Sequence, residues 1–346
     1  MSFSDIIGHD REIGILKGAI VKDRVAHSFL FCGPGGIGKR MTAMAFARAL
    51  NCSEVVDDSC GECSRCRRIE GGGDPNVMVV LPREAESKGG GVDMVSGVIR
   101  IGDIRDVQHR LAYGTDGGKK VCIVDGAEKM NTQAANAFLK TLEEPPKDTV
   151  IILIASQATA LLPTILSRCQ RINFSPLRRE VVEGLVRERL GLSPERSRLI
   201  AALSGGSLGR ALEGWDDALF EERKKLIEGL ISLSSGDVMD VFTLADEVAR
   251  EESISDVFEV MKLWYRDLAL LREGCGEMVV NSDLADTLQR MGEGHTFDTI
   301  WESFQAIGQA EQDILPPRYG NKQLTLEVLF MDLATQSRRS ARRVGQ

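Results

Sequence analysis

Residues 33–40 read GPGGIGKR and directly follow the apolar run SFLFC at 28–32. A glycine-rich turn that leaves a buried strand and opens a helix gathers backbone N–H groups and a helix N-terminus around one spot, where an anion is stabilised. Gly33, Gly35, Gly36 and Gly38 supply the turn, and Lys39 supplies the cation that reaches phosphate charge. A chain carrying this feature after an early strand is expected to build a parallel α/β sheet with crossover helices between its strands.

The rest of the first half agrees. VMVVL (77–81), VCIVD (121–125), VIILIA (150–155) and QRINF (170–174) read as further buried strands, with enough chain between them for crossovers. Between about Thr132 and Glu144, residues Ala135, Phe138, Leu139 and Leu142 share one helical face; Asn131 can cap the start, and Pro145 and Pro146 end the helix. REAESKGGG at 83–91 has loop composition. After Pro176 helical periodicity takes over. A unit at 177–212, interrupted by Gly205 and Gly206, precedes a longer helical block at 213–336. Residues 337–346, with Arg338, Arg339, Arg342 and Arg343, read as a flexible basic tail.

The phosphate loop carries two defects. The eighth position of G-x-x-x-x-G-K-[ST] is Arg40, where a hydroxyl would ligate Mg²⁺. A guanidinium is a permanent cation without an oxygen, so it repels the ion it replaces a ligand for. Asp125, ending its strand, fits the carboxylate that supports Mg²⁺, but Gly126 stands where a hydrolytic P-loop enzyme of the Asp-Glu type carries the Glu that activates water. Glu128 lies two residues further on and would start the next helix. Weak phosphate binding is expected, ATP or ADP occupancy stays open, and Mg²⁺ lacks its usual ligand.

Composition removes several function classes. Length 346 implies two or three domains. With 43 Lys and Arg against 51 Asp and Glu, the net charge of −8 gives no whole-protein footprint for nucleic acid. No apolar run reaches membrane-spanning length and no export signal is evident, which points to the cytoplasm. Of eight cysteines, Cys52, Cys60, Cys63 and Cys66 crowd into a C-x7-C-x2-C-x2-C pattern. Four thiolates in one short excursion suit tetrahedral Zn²⁺ in a closed, structural shell, with Arg65, Arg67 and Arg68 offsetting its net charge. Unrelated reduced thiols and an iron–sulfur cluster are the alternatives. His9, His27, His109 and His295 are too scattered to suggest a site.

On these residues the sequence resembles the bacterial DNA polymerase III clamp-loader subunits of the AAA+ class, above all the delta-prime branch, with the gamma/tau motor next. The resemblance runs through FSDIIGHDREIGILKGAI from Phe3, HSFLFCGPGGIGK, the cysteine cluster, IGDIRDVQHRL (101–111), AEKMNTQAANAFLKTLEEPP (127–146) and LLPTILSRC (161–169). It continues weakly into LTLEVLFMDLA near the C-terminus. It implies an AAA+ P-loop-like domain at 1–176 with a zinc module at about 51–67, a helical lid at 177–212, and an all-α collar at 213–336 that joins a hetero-oligomer.

Within Ser167, Arg168 and Cys169, the resemblance assigns Arg168 as an arginine finger acting in trans on a neighbouring subunit's ATP. Arginine suits that role because its planar donors stay charged and bind phosphate oxygens bidentately. Ser156 takes the position of a polar γ-phosphate sensor. Gly209 stands where a motor carries a sensor Arg, with Arg210 displaced by one residue, or about 100° on a helix. These departures favour the non-hydrolysing delta-prime type over an active gamma/tau-like ATPase. Implied partners are the gamma/tau motor subunits and the delta subunit and, through the complex, the sliding clamp and primed DNA. DNA-directed polymerase activity would reside in other subunits, and no membrane is involved.

Overall fold

The computed structural model describes residues 2–83, 97–113, 117–213, 215, 217–233, 237–251, 253–315 and 318–344. It divides into two compact units, residues 1–177 with 207–209, and residues 178–206 with 210–346. The loop expected at 83–91 falls, apart from Arg83, outside the described residues.

In the first unit, strands β1 (Ser28–Cys32), β2 (Val77–Val80), β3 (Lys120–Asp125), β4 (Thr149–Ala155) and β5 (Gln170–Asn173) form one parallel sheet in the order β2-β3-β4-β1-β5. All five predicted strands are present. Because side chains alternate across a strand, each apolar run feeds two cores. Leu30, Cys122, Val124, Ile151 and Leu153 face one layer, where they meet Ile104, Val107 and Leu111 of α4 (Ile101–Ala112) and Phe138 and Leu142 of α5 (Thr132–Glu143). Phe29, Phe31, Val121, Ile123 and Ile152 face the other layer, against Leu16 of α1 (Asp10–Val21) and Phe46 of α2 (Lys39–Asn51). Phe46 sits edge-on to Phe29, with ring centroids 5.4 Å apart. The short helices α3 (Ser64–Glu70) and α6 (Pro163–Leu166) complete this unit.

The start of α5 is fixed as its sequence implies. Asn131 is extended, and its side-chain oxygen accepts from the Ala134 N–H at 2.8 Å, satisfying one of the helix's orphan donors. Replacing Asn131 by alanine is expected to lower stability by about 1 kcal/mol. A urea titration of the two proteins measures it; equal midpoints would show that the cap is dispensable.

Strand register positions the candidate site. Cys32 pairs with Ala155, and Asp125 with Ile154. In a parallel sheet this sets the residues that follow β1, the end of β3 and the residue after β4 on one edge. Gly33, Asp125 and Ser156 are thereby neighbours, although they are far apart in sequence.

The second unit is helical, with α7 (Arg179–Leu190) and α8 (Pro194–Leu203), then α9 (Leu208–Leu212), which begins in the first unit. The unit continues with α10 (Asp217–Ser232), α11 (Val238–Arg250), α12 (Ile254–Arg272), α13 (Ala285–Glu293), α14 (Phe297–Ile314) and α15 (Lys322–Val344). Phe258, Met261, Trp264 and Tyr265 of α12, Ile307 of α14 and Phe330 of α15 centre its core. Two departures from the sequence reading appear here. The expected lid and collar share one compact unit, because Leu199 and Leu203 of α8 pack with Leu263 of α12 and with Val280. The expected flexible tail from 337 is also different: α15 runs on to Val344, carrying Arg338 and Arg339 as exposed helical residues. Its apolar stretch, with Leu326, Leu329, Phe330, Leu333 and Ala334 buried, anchors the helix that the basic residues prolong.

Candidate functional site

The glycine loop is shaped by close approach. Gly33 has φ +151°, and a Cβ there would lie 2.3 Å from the Phe174 carbonyl oxygen, so no larger residue fits beside β5. His9 supports the loop from below: its Nε2 is 2.6 Å from the Ile37 carbonyl oxygen, and its ring meets Phe174 edge-on. Lys39 is buried, and its ammonium donates to the carbonyl oxygens of Gly33 and Pro34, at 2.5 Å each. Burial pulls its pKa below the usual lysine range, with Asp125 and Glu128 opposing the shift.

Arg40, at the eighth position of the loop, stands close to Asp125. Its Nη1 lies 3.9 Å from Asp125 Oδ2, so a fixed cation faces the carboxylate that would otherwise support a divalent ion. Burial raises the Asp125 carboxyl above its ordinary range, and Arg40 and Lys39 act against that. Ser156 is also engaged: both its N–H, at 3.0 Å, and its hydroxyl, at 2.6 Å, donate to Glu128 Oε1. Glu128 is thus tied to the residue that follows β4. Gly126, with φ +76°, contributes no side chain.

Gly209, where the resemblance would put a sensor arginine, packs against the phosphate loop. The Gly209 N–H donates to the Gly36 carbonyl at 2.9 Å, and a Cβ on Gly209 would lie 3.0 Å from Gly36 Cα. A side chain at 209 would press on the phosphate loop at a distance tighter than ordinary contact. Arg210 is ion-paired with Asp256 of α12 in the helical unit.

Arg168 follows α6, and its backbone carbonyl accepts from the Ser28 hydroxyl at 2.6 Å. Its Nη1 donates to the Thr164 carbonyl at 2.8 Å and to Ser167 Oγ at 3.1 Å, and its Nη2 lies 2.6 Å from Glu143 Oε1 at the end of α5. The Arg168 side chain is 34% exposed. Sequence reasoning passed over Glu143 and saw in His9 no site. Glu143 is one of two adjacent acids before Pro145, and no local pattern tells which of them reaches another helix. His9 carried a left-handed φ of +62° after Gly8, a turn signal without chemical content.

Cys52, Cys60, Cys63 and Cys66 converge, their sulfurs all within 4.8 Å of one another. A tetrahedral zinc–thiolate centre with bonds of about 2.3 Å asks for sulfurs about 3.8 Å apart, so a small contraction completes the shell. Three backbone N–H groups already point at sulfur: Cys60 N to Cys52 Sγ at 3.4 Å, Cys63 N to Cys60 Sγ at 3.3 Å, and Cys66 N to Cys63 Sγ at 3.4 Å. The Ser53 N–H foremost, together with the Cys66 N–H, brings the Cys63 thiol down to about 6, while burial pushes Cys66 up to about 12. The donor set fits a metal that takes all four as thiolates. Arg48, 4% exposed, pairs with Glu70 at 3.0 Å, and Lys17 with Asp58 at 3.2 Å, which ties this module to α2 and α1.

A parallel sheet in this order, a phosphate loop after β1, an Asp ending β3 and a polar residue after β4 define a P-loop module of the AAA+ class, here with a four-cysteine insertion and a helical C-terminal region. A family model described as DNA polymerase III, delta subunit matches residues 8–178, and one for the C terminal of that subunit matches 217–335. DNA polymerase III subunit delta' of Bacillus subtilis is 30% identical over 308 residues, covering 87% of this chain and 89% of its own. Its counterpart in Pseudomonas aeruginosa is 32% identical, covering 90% and 92%. DNA polymerase III subunit tau of Bacillus subtilis is 27% identical, covering 90% of this chain and 58% of its own. The chain belongs to the bacterial DNA polymerase III delta-prime subunit family. Among the described residues no helix is long and apolar enough to cross a membrane.

Proposed function

We propose that this chain is the fixed, non-hydrolysing subunit of a clamp loader, assembled with gamma/tau-type motor subunits and a delta subunit, and that it helps place a sliding clamp on primed DNA. In this reading it presents Arg168 to the ATP of a neighbour, and its own phosphate loop does no chemistry. The observation that carries the reading is the asymmetry between the two sites. Arg168 is held at the surface with an intact guanidinium, whereas Arg40 confronts Asp125 and Gly126 offers no base. We also assign one structural Zn²⁺ to Cys52, Cys60, Cys63 and Cys66, supported by the convergence of their sulfurs.

The mechanism follows from charge. When a γ-phosphoryl group transfers to water, negative charge spreads over oxygens that a rigid, permanently charged donor stabilises more in the transition state than in the ground state. Arg168 can supply that donor without being altered by the reaction. Lys39 and Arg40 give the chain's own loop positive charge, so a nucleotide phosphate could be held there, but position 40 supplies no hydroxyl to complete Mg²⁺ ligation.

One observation speaks for the active gamma/tau-like alternative. Glu128 Oε2 is buried with no hydrogen-bond partner among the described residues, leaving one carboxylate oxygen near the loop. Steady-state hydrolysis by the purified chain separates the readings. Background turnover, unchanged by Lys39→Ala, is expected. Motor-like turnover abolished by Lys39→Ala would restore the ATPase reading.

A further inference from the structure

We propose that Glu143 is a built-in counter-ion for Arg168, one that holds the guanidinium until a phosphate displaces it and thereby sets how much ATP the neighbouring site needs. This rests on the trans role of Arg168 given above. Glu143 is a positioning residue: it touches Arg168, and only Arg168 is to touch phosphate.

The geometry favours displacement over a passive surface pair. Arg168 is anchored by its own backbone, through the Ser28 hydroxyl, and by Nη1, which serves the Thr164 carbonyl and Ser167 Oγ. Neither anchor involves Glu143, so the side chain keeps its place when the carboxylate leaves. Glu143 holds Nη2, at 2.6 Å. Arginine offers two forks for a bidentate oxyanion, one through Nη1 and Nη2 and the other through Nε and Nη2. With both Nη1 hydrogens given to Thr164 and Ser167, the fork left for phosphate is Nε with Nη2, and Glu143 already sits on Nη2. A phosphate arriving there meets a carboxylate on the same nitrogen, and the two anions repel each other. The multiply charged phosphate wins, and the carboxylate swings into solvent, where Glu143 is already 49% exposed.

The same numbers set the size of the effect. With the partners 34% and 49% exposed, the pair is weak, as half-solvated ion pairs are. Removing it eases phosphate engagement by about two- to fivefold, not by orders of magnitude. Glu143→Gln keeps the shape and removes the charge.

The test is ATP hydrolysis by the reconstituted complex, as a function of ATP concentration, with this chain carrying Glu143→Gln. The concentration for half-maximal hydrolysis is expected to fall about two- to fivefold, with the maximal rate within about twofold. Glu143→Asp should return the curve toward that of the unaltered complex, and Glu143→Gln combined with Arg168→Ala should behave as Arg168→Ala alone. A gain of this kind cannot come from structural damage, which would raise the concentration required. If Arg168→Ala slows hydrolysis but Glu143→Gln leaves the half-maximal concentration unchanged or higher, the counter-ion role is wrong and the trans role of Arg168 stands. If Arg168→Ala has no effect, both fall together.

Discussion

Replacing Arg168 by alanine is expected to silence one ATP site of the assembled clamp loader while leaving the chain folded and able to assemble. An arginine finger is worth roughly 10³ to 10⁵ in rate at the site it serves. Steady-state hydrolysis by a motor with several sites shows less than that, because the unaffected sites continue. Single-turnover hydrolysis with limiting ATP resolves the difference: one class of site should slow by at least about 10³ and the others should keep their rate. The substitution is benign for folding on the structural evidence. Arg168 is partly exposed, and its contacts are two turn acceptors and one surface carboxylate. If size-exclusion chromatography shows intact assembly and no class of site slows, Arg168 is an ordinary surface residue.

Loss of zinc should be the largest change in local stability. Structural zinc centres bind with apparent free energies of about 10 to 16 kcal/mol in isolated peptides. Here the module is also tied down by the Arg48–Glu70 and Lys17–Asp58 pairs, and Cys66 and Ile69 are buried beneath it. Stripping the metal should therefore open residues from Cys52 to about Glu70 and leave the sheet folded. Elemental analysis should give about one zinc per chain. Hydrogen exchange after chelation should lose protection in that segment, and Cys66→Ser should reproduce the loss. A metal-free chain with native protection there and four freely reactive thiols would refute the zinc assignment.

The sheet was legible because each strand is an apolar run bounded by turn residues, and because β1 delivers a glycine loop whose chemistry demands that geometry. β4, buried along its whole length, has the least ambiguous pattern, and its observed limits differ from the expected 150–155 by a single residue. The convergence of the four cysteines was legible because their close spacing keeps the sulfurs within one short excursion. What could not be read were contacts made across the fold. Glu143 meets Arg168 only because α5 and α6 lie side by side, and Ser156 meets Glu128 only because β3 and β4 are neighbours in register. Gly209 gave a different lesson. Its sequence shows an absent arginine, whereas the structure adds a close approach of backbones, Gly36 Cα lying 3.0 Å from where a Cβ would sit. The C-terminal tail was misread because a run of Arg and Ser looks solvated, which it is at Arg338 and Arg339, and because solvated residues can prolong a helix anchored by Leu326, Phe330 and Leu333.

In the proposed role the chain works through another subunit's nucleotide and not through its own. Two complexes differing only in this chain, one with Lys39→Ala and one with Arg168→Ala, test it in a single assay of hydrolysis stimulated by primed DNA and the clamp. Hydrolysis should be unchanged by Lys39→Ala and reduced by Arg168→Ala; the opposite pattern, with Lys39→Ala inhibiting and Arg168→Ala silent, would contradict it.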